Sequence, residues 1–103
     1  MATVEEVGEK IRASIREARK EGFAIKPHRL RRKTEMACCA VGSAVRDVSP
    51  DEPAWHIASW RLDTSHINLI DVARGFDGER NFYEREWYEL GRQIRKEVNE
   101  GTL

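Results

Sequence analysis

Thr34-Glu35-Met36-Ala37-Cys38-Cys39-Ala40-Val41-Gly42-Ser43-Ala44-Val45 is the stretch on which the fold turns. From Met36 to Val45 it carries no charge for ten residues, and nearly every side chain is small. A helix built of such residues lets neighbouring backbones approach on every side. Residues 34–47 therefore read as the central helix of a small helical domain, with Thr34 as its cap. Replacing Ala40 or Gly42 by Leu is expected to overpack it.

Cys38 and Cys39, the only cysteines, lie inside this run. Adjacent helical side chains diverge by about 100°, and a vicinal disulfide distorts the peptide, so the two thiols are not expected to pair. No basic residue stands within two positions of either thiol, and both read as packing groups in a reducing compartment. His28, His56 and His66 stand singly and supply no zinc-ligand spacing, so neither metal nor cofactor is expected.

Toward the C-terminus, Val48-Ser49-Pro50-Asp51-Glu52-Pro53 is a turn that opens a helix over 53–62, presenting Trp55, Ile57, Ala58 and Leu62. Asp63-Thr64-Ser65 stops that helix and caps another over 66–74, with Ile67, Leu69, Ile70 and Ala73 apolar. Gly75 is read as the helix stop, with Phe76 folding back. Asp77-Gly78 turns the chain into a last helix beginning near Asn81. There Tyr83, Trp87, Leu90, Ile94 and Val98 recur at helical steps. Gly91 offers a flat spot, assigned to the small-residue helix.

Toward the N-terminus, Thr3 and Glu6 form a capping-box pattern. Val4, Val7, Ile11, Ile15 and Ala18 then mark a helix that ends by Gly22. Its apolar stripe is narrow, which suits either a single groove or a second copy of the chain. Between this helix and the small-residue run lies Phe23-Ala24-Ile25-Lys26-Pro27-His28-Arg29-Leu30-Arg31-Arg32-Lys33, extended in pattern and strongly basic. The expected architecture is all-α: a compact bundle of about five helices, two long outer and three short inner, with one extended basic connector. It is read as one domain over 1–103, with the first helix in 1–22, the connector in 23–33 and the helical core in 34–100.

The 103-residue chain has a formal charge of zero, but residues 1–33 hold ten Lys/Arg against five Asp/Glu, and the remainder eight against thirteen. The two parts can attract each other, or the basic part can meet an acidic partner. No run is apolar enough to cross a membrane and the first twenty residues are too charged for a signal peptide, so a cytoplasmic protein is expected. No glycine-rich phosphate loop or Ser–His–Asp arrangement appears, and the acidic residues lie on charged helix faces, which points away from an enzyme. The leading expectation is a protein-binding or regulatory module. Lys26, Arg29, Arg31, Arg32 and Lys33 would contact an acidic protein surface, or the protein would pair with itself as a homodimer.

The alternative is a nucleic-acid binder. Ala58 to Ile70 is similar to a helix-turn-helix unit, although Asp63 stands where Gly is usual and Thr64 where an apolar residue is usual. In that reading the connector contacts phosphates, and His66, Asn68 and Arg74 approach the bases. More broadly, the two-cysteine run, Gly75-Phe76-Asp77-Gly78 and Tyr88-Glu89-Leu90-Gly91-Arg92-Gln93-Ile94-Arg95-Lys96 give residues 34–98 a pattern that resembles small uncharacterised proteins of bacteria and their phages. That resemblance implies a phage or mobile-element setting and brings no activity, ligand or site residues with it.

Overall fold

A computed structural model describes residues 2–28, 30 and 36–103. Among them are four α-helices, α1 (Val4–Lys20), α2 (Ala54–Leu62), α3 (His66–Asp77) and α4 (Arg85–Glu100), and a minimal ribbon of β1 (Ala24–Ile25) and β2 (Ala37–Cys38). The protein is thus mostly helical, but the small-residue run does not supply a fifth α-helix.

The first helix follows its sequence pattern closely. Thr3 Oγ1 accepts from the Glu6 N–H at 3.2 Å, and Glu6 Oε1 accepts from the Thr3 N–H at 2.9 Å. This reciprocal cap satisfies two amide donors that a bare helix end would leave open. Val7, Ile11, Ile15 and Ala18 are wholly buried in the chain's own core, so the narrow stripe is not a free face awaiting a second copy. After Lys20, Gly22 adopts φ +94° and the Phe23 N–H reaches back to the Ala18 carbonyl at 2.9 Å. That left-handed residue turns the chain directly into β1.

The small-residue run, expected as a central helix, is a strand followed by a tight turn. β1 and β2 pair in parallel, Ala24 opposite Ala37 and Ile25 opposite Cys38. The Ala24 N–H donates to the Met36 carbonyl at 2.7 Å and the Lys26 N–H to the Cys38 carbonyl at 2.9 Å. Beyond Cys39 the chain tightens into a 3-10 turn over Gly42–Val45. Every residue from Ala37 to Val45 is buried.

The physical reason lies in competition for the backbone. The Ser43 hydroxyl donates to the Ala40 carbonyl at 2.6 Å, and the Cys39 thiol accepts from the Gly42 N–H at 3.3 Å, offering local alternatives to α-helical bonds. Gly42 weakens an α-helix by about 1 kcal/mol relative to Ala. It is needed here because a Cβ would lie 1.4 Å from the Leu30 carbonyl oxygen. Smallness serves a thin segment threaded through the interior, not a helix surface. The proposed cap, Thr34, lies outside the described residues.

The second half matches expectation in its elements and departs in its boundaries. α2 ends at Asp63, which takes the left-handed conformation at φ 55°, ψ 48°. The Ser65 side chain then caps α3 by accepting from the Asn68 N–H at 3.2 Å. Gly75 does not stop α3; the helix continues to Asp77 and closes on Gly78 at φ 78°. Gly75 is instead a contact point, where a Cβ would fall 2.1 Å from the Tyr88 carbonyl oxygen of α4. Gly91 is its counterpart, with Val72 O of α3 only 2.0 Å from a built Cβ. The flat spot at Gly91 therefore faces α3 and not the small-residue run. α3 and α4 touch backbone to backbone at two places, with Phe76, Leu69 and Val72 buried around the seam.

α4 begins at Arg85, later than its sequence pattern suggested, because Asp71 of α3 holds the preceding backbone extended. Its Oδ1 and Oδ2 accept from the N–H groups of Tyr83 and Glu84 at 2.8 and 2.7 Å. Asp71 is itself fully buried. Glu84 makes no side-chain cap of its own, so a carboxylate from the neighbouring helix serves the α4 N-terminus and complements its dipole.

Candidate functional site

The two thiols are free and buried. Burial pushes Cys38 up to about 11 and Cys39 up to about 12, since a thiolate in an apolar interior lacks solvation. Nucleophilic or metal-binding sulfur requires the opposite shift.

Several arginines are used in ion pairs within the fold. Arg12 of α1 grips Glu97 of α4 through Nε and Nη2 at 2.7 and 3.0 Å. Arg46 holds Glu21 through two bonds at 2.8 and 2.7 Å, and Arg61 holds Asp47 at 2.6 and 3.2 Å. In each pair the arginine's hydrogen bonds hold the carboxyl below its ordinary value. Arg19 also donates to the Leu103 carbonyl. Part of the charge asymmetry along the chain is therefore spent on closing its two ends together. Lys26 is exposed at the end of β1. Arg29, Arg31, Arg32 and Lys33 lie outside the described residues.

The α2–α3 corner is where the remaining predicted residues gather. His56 and His66, ten positions apart in sequence, bring their rings to 4.3 Å in an edge-on contact. Trp60 is 77% exposed and Ile67 52% exposed on either side of the turn. Both departures from the helix-turn-helix pattern are absorbed by the structure. Asp63 takes the left-handed conformation usually left to Gly, and Thr64 is buried as the apolar residue would be. The candidate base-reading side chains are already engaged, however. Asn68 Nδ2 donates to Thr64 Oγ1 at 3.0 Å. Arg74 lies 3.8 Å from Glu79 Oε2, with its guanidinium over the Tyr83 ring. Within α3 only Ile67 is strongly exposed, so this helix is central to the fold and does not project from it.

Two further features were not legible from spacing. An open groove of about 590 Å³ runs along α4 beside Gly75 and Gly78, edged by Arg92, Lys96, Glu89 and Glu100. Open and edged by mixed charges, it lacks the enclosure of a small-molecule site. At the end of α3, Asp77 and Glu79 meet His28 from the loop after β1, with one ligand atom from each residue within 4.8 Å of the others. Forty-nine positions separate His28 from Asp77, which hides the grouping from any reading of local spacing.

Among the described residues no helix is long and apolar enough to cross a membrane. Comparison with protein-family models, curated proteins and solved structures finds no match.

Proposed function

We propose that the protein is a non-catalytic protein-binding module that docks an acidic partner through the α2–α3 corner, assisted by the basic connector. The observation that carries this reading is Trp60, left 77% exposed while Trp87 is buried and Trp55 packs against the core. A large exposed aromatic on a chain rich in charged residues has the character of an interface anchor. Lys26, Arg29, Arg31, Arg32 and Lys33 supply the charge that steers an acidic surface. A phage or mobile-element setting belongs to this proposal through the sequence resemblance alone.

The test is affinity purification with the wild-type chain, Trp60→Ala and the double charge reversal Arg31→Glu, Arg32→Glu. One defined partner should be retained by the wild type and lost by both folded variants. Equal recovery with all three would overturn the reading.

The second reading, a nucleic-acid binder, draws on the left-handed Asp63 and buried Thr64 of the corner. His66, Asn68 and Arg74 would lie nearest the bases and the connector on phosphates. The enclosure of α3 places it second. Duplex DNA binding that weakens steeply with salt is its signature, and no gel shift at low salt removes it.

A further inference from the structure

We propose that His28, Asp77 and Glu79 form a binding site for a divalent first-row transition ion, with Zn²⁺ as the representative species. His28 Nδ1 stands 3.4 Å from Asp77 Oδ2. Ligand atoms about 2.1 Å from a tetrahedral zinc lie about 3.4 Å from one another, so this pair already has the edge length of a coordination tetrahedron. A carboxylate oxygen of Glu79 falls within the same 4.8 Å cluster. The Glu79 side chain is 49% exposed and its contact with Arg74 is a loose 3.8 Å, so it has room to swing inward. Water completes the fourth position through the open side, where the His28 side chain is 60% exposed.

The donor set decides the class of ion. One imidazole with two carboxylates suits zinc and its first-row neighbours, whereas calcium and magnesium favour all-oxygen surroundings. Asp77 is also arranged for the role. Its Oδ1 accepts from the His28 backbone N–H at 2.8 Å, which orients the carboxylate and leaves Oδ2 beside the imidazole. Such support of a ligand by a second hydrogen bond is the usual means of aiming a metal site. The ion would pin the basic connector at His28 to the end of α3, an effect beyond the binding role proposed above.

The test is isothermal titration of the untagged, metal-stripped full chain with ZnCl₂ in a non-coordinating buffer. One equivalent should bind. His28→Ala and Glu79→Gln, both at exposed positions, should each weaken binding by at least about tenfold. The double variant His56→Ala, His66→Ala should bind like the wild type, and CaCl₂ should give no saturable heat. The proposal is overturned if the wild type shows no one-to-one binding or if His28→Ala binds as tightly. It is equally overturned if affinity is lost with His56 and His66 instead. Circular dichroism of each variant separates loss of ligand from loss of fold.

Discussion

Replacing Gly91 by Ala tests the central packing claim most directly. On propensity alone this change favours a helix, by up to about 1 kcal/mol. The structure predicts the opposite sign. A Cβ at position 91 would lie 2.0 Å from the Val72 carbonyl oxygen and 2.9 Å from the Phe76 amide nitrogen. Ordinary contact starts at 3.4 Å, so α4 must withdraw from α3 by about 1.4 Å at this point. The obstacle is backbone inside a helix, which cannot rotate aside as a side chain could. Overpacking of this kind costs about 3 kcal/mol at the upper end of the usual range. Set against the propensity gain, the net loss is about 2 kcal/mol, or about 8–16 °C in Tm for a domain of this size. Thermal unfolding followed by circular dichroism measures it. Gly75→Ala should behave alike, and the double variant should lose less than the two singles together, because one separation relieves both contacts. An unchanged or raised Tm for Gly91→Ala would refute the backbone contact between α3 and α4.

Asp71→Ala removes at once the two carboxylate acceptors of the Tyr83 and Glu84 N–H groups, and should cost about 2–3 kcal/mol in chemical denaturation, with Asp71→Asn intermediate because one acceptor oxygen remains. Glu97 has its carboxyl held low by Arg12, so its stabilisation is present above the ordinary value of 4.5 and is lost as pH falls through the lowered one. Glu97→Gln should accordingly be less stable than the wild type at neutral pH, and the gap should close in acid once the pH has fallen below the lowered value; a gap unchanged by acid would contradict the ion pair. Raising Cys38 from 9.0 to about 11 lowers its thiolate fraction at mildly alkaline pH by about a hundredfold. A disulfide reagent should therefore react with the native protein far more slowly than with the unfolded chain, and equal rates would show that the thiols are not enclosed.

Sequence pattern revealed α1 most fully, since its cap and its apolar stripe are local and periodic. The turn at Asp63-Thr64-Ser65 was legible for the same reason. Glycine was the recurrent ambiguity: at Gly75 the same residue type that ends helices instead admits a neighbouring backbone, and at Gly91 the partner could be named only from the fold. The Ala37 to Val45 run defeated periodicity because every residue in it is buried, leaving no polar face to define a helical or strand repeat. Asp71 and the His28–Asp77 contact are joined by folding across the chain. Among the expected contact residues, Lys26 and the α2–α3 corner can be placed, but the exposed Trp60 lies outside the apolar set Trp55, Ile57, Ala58 and Leu62 that the helix pattern offers.

The α3–α4 pairing also bears on the order in which the protein assembles. Its partners are separated by a short connection, so little loop-closure entropy opposes their meeting, whereas α1 must return across most of the chain to set Arg12 against Glu97, 85 positions away. The helical hairpin centred on Gly75 and Gly91 is therefore the natural folding nucleus, with α1 docking afterward over an apolar surface already formed. Pulse-labelled hydrogen exchange during refolding should protect amides of α3 and α4 before those of α1; simultaneous protection would indicate a single concerted closure.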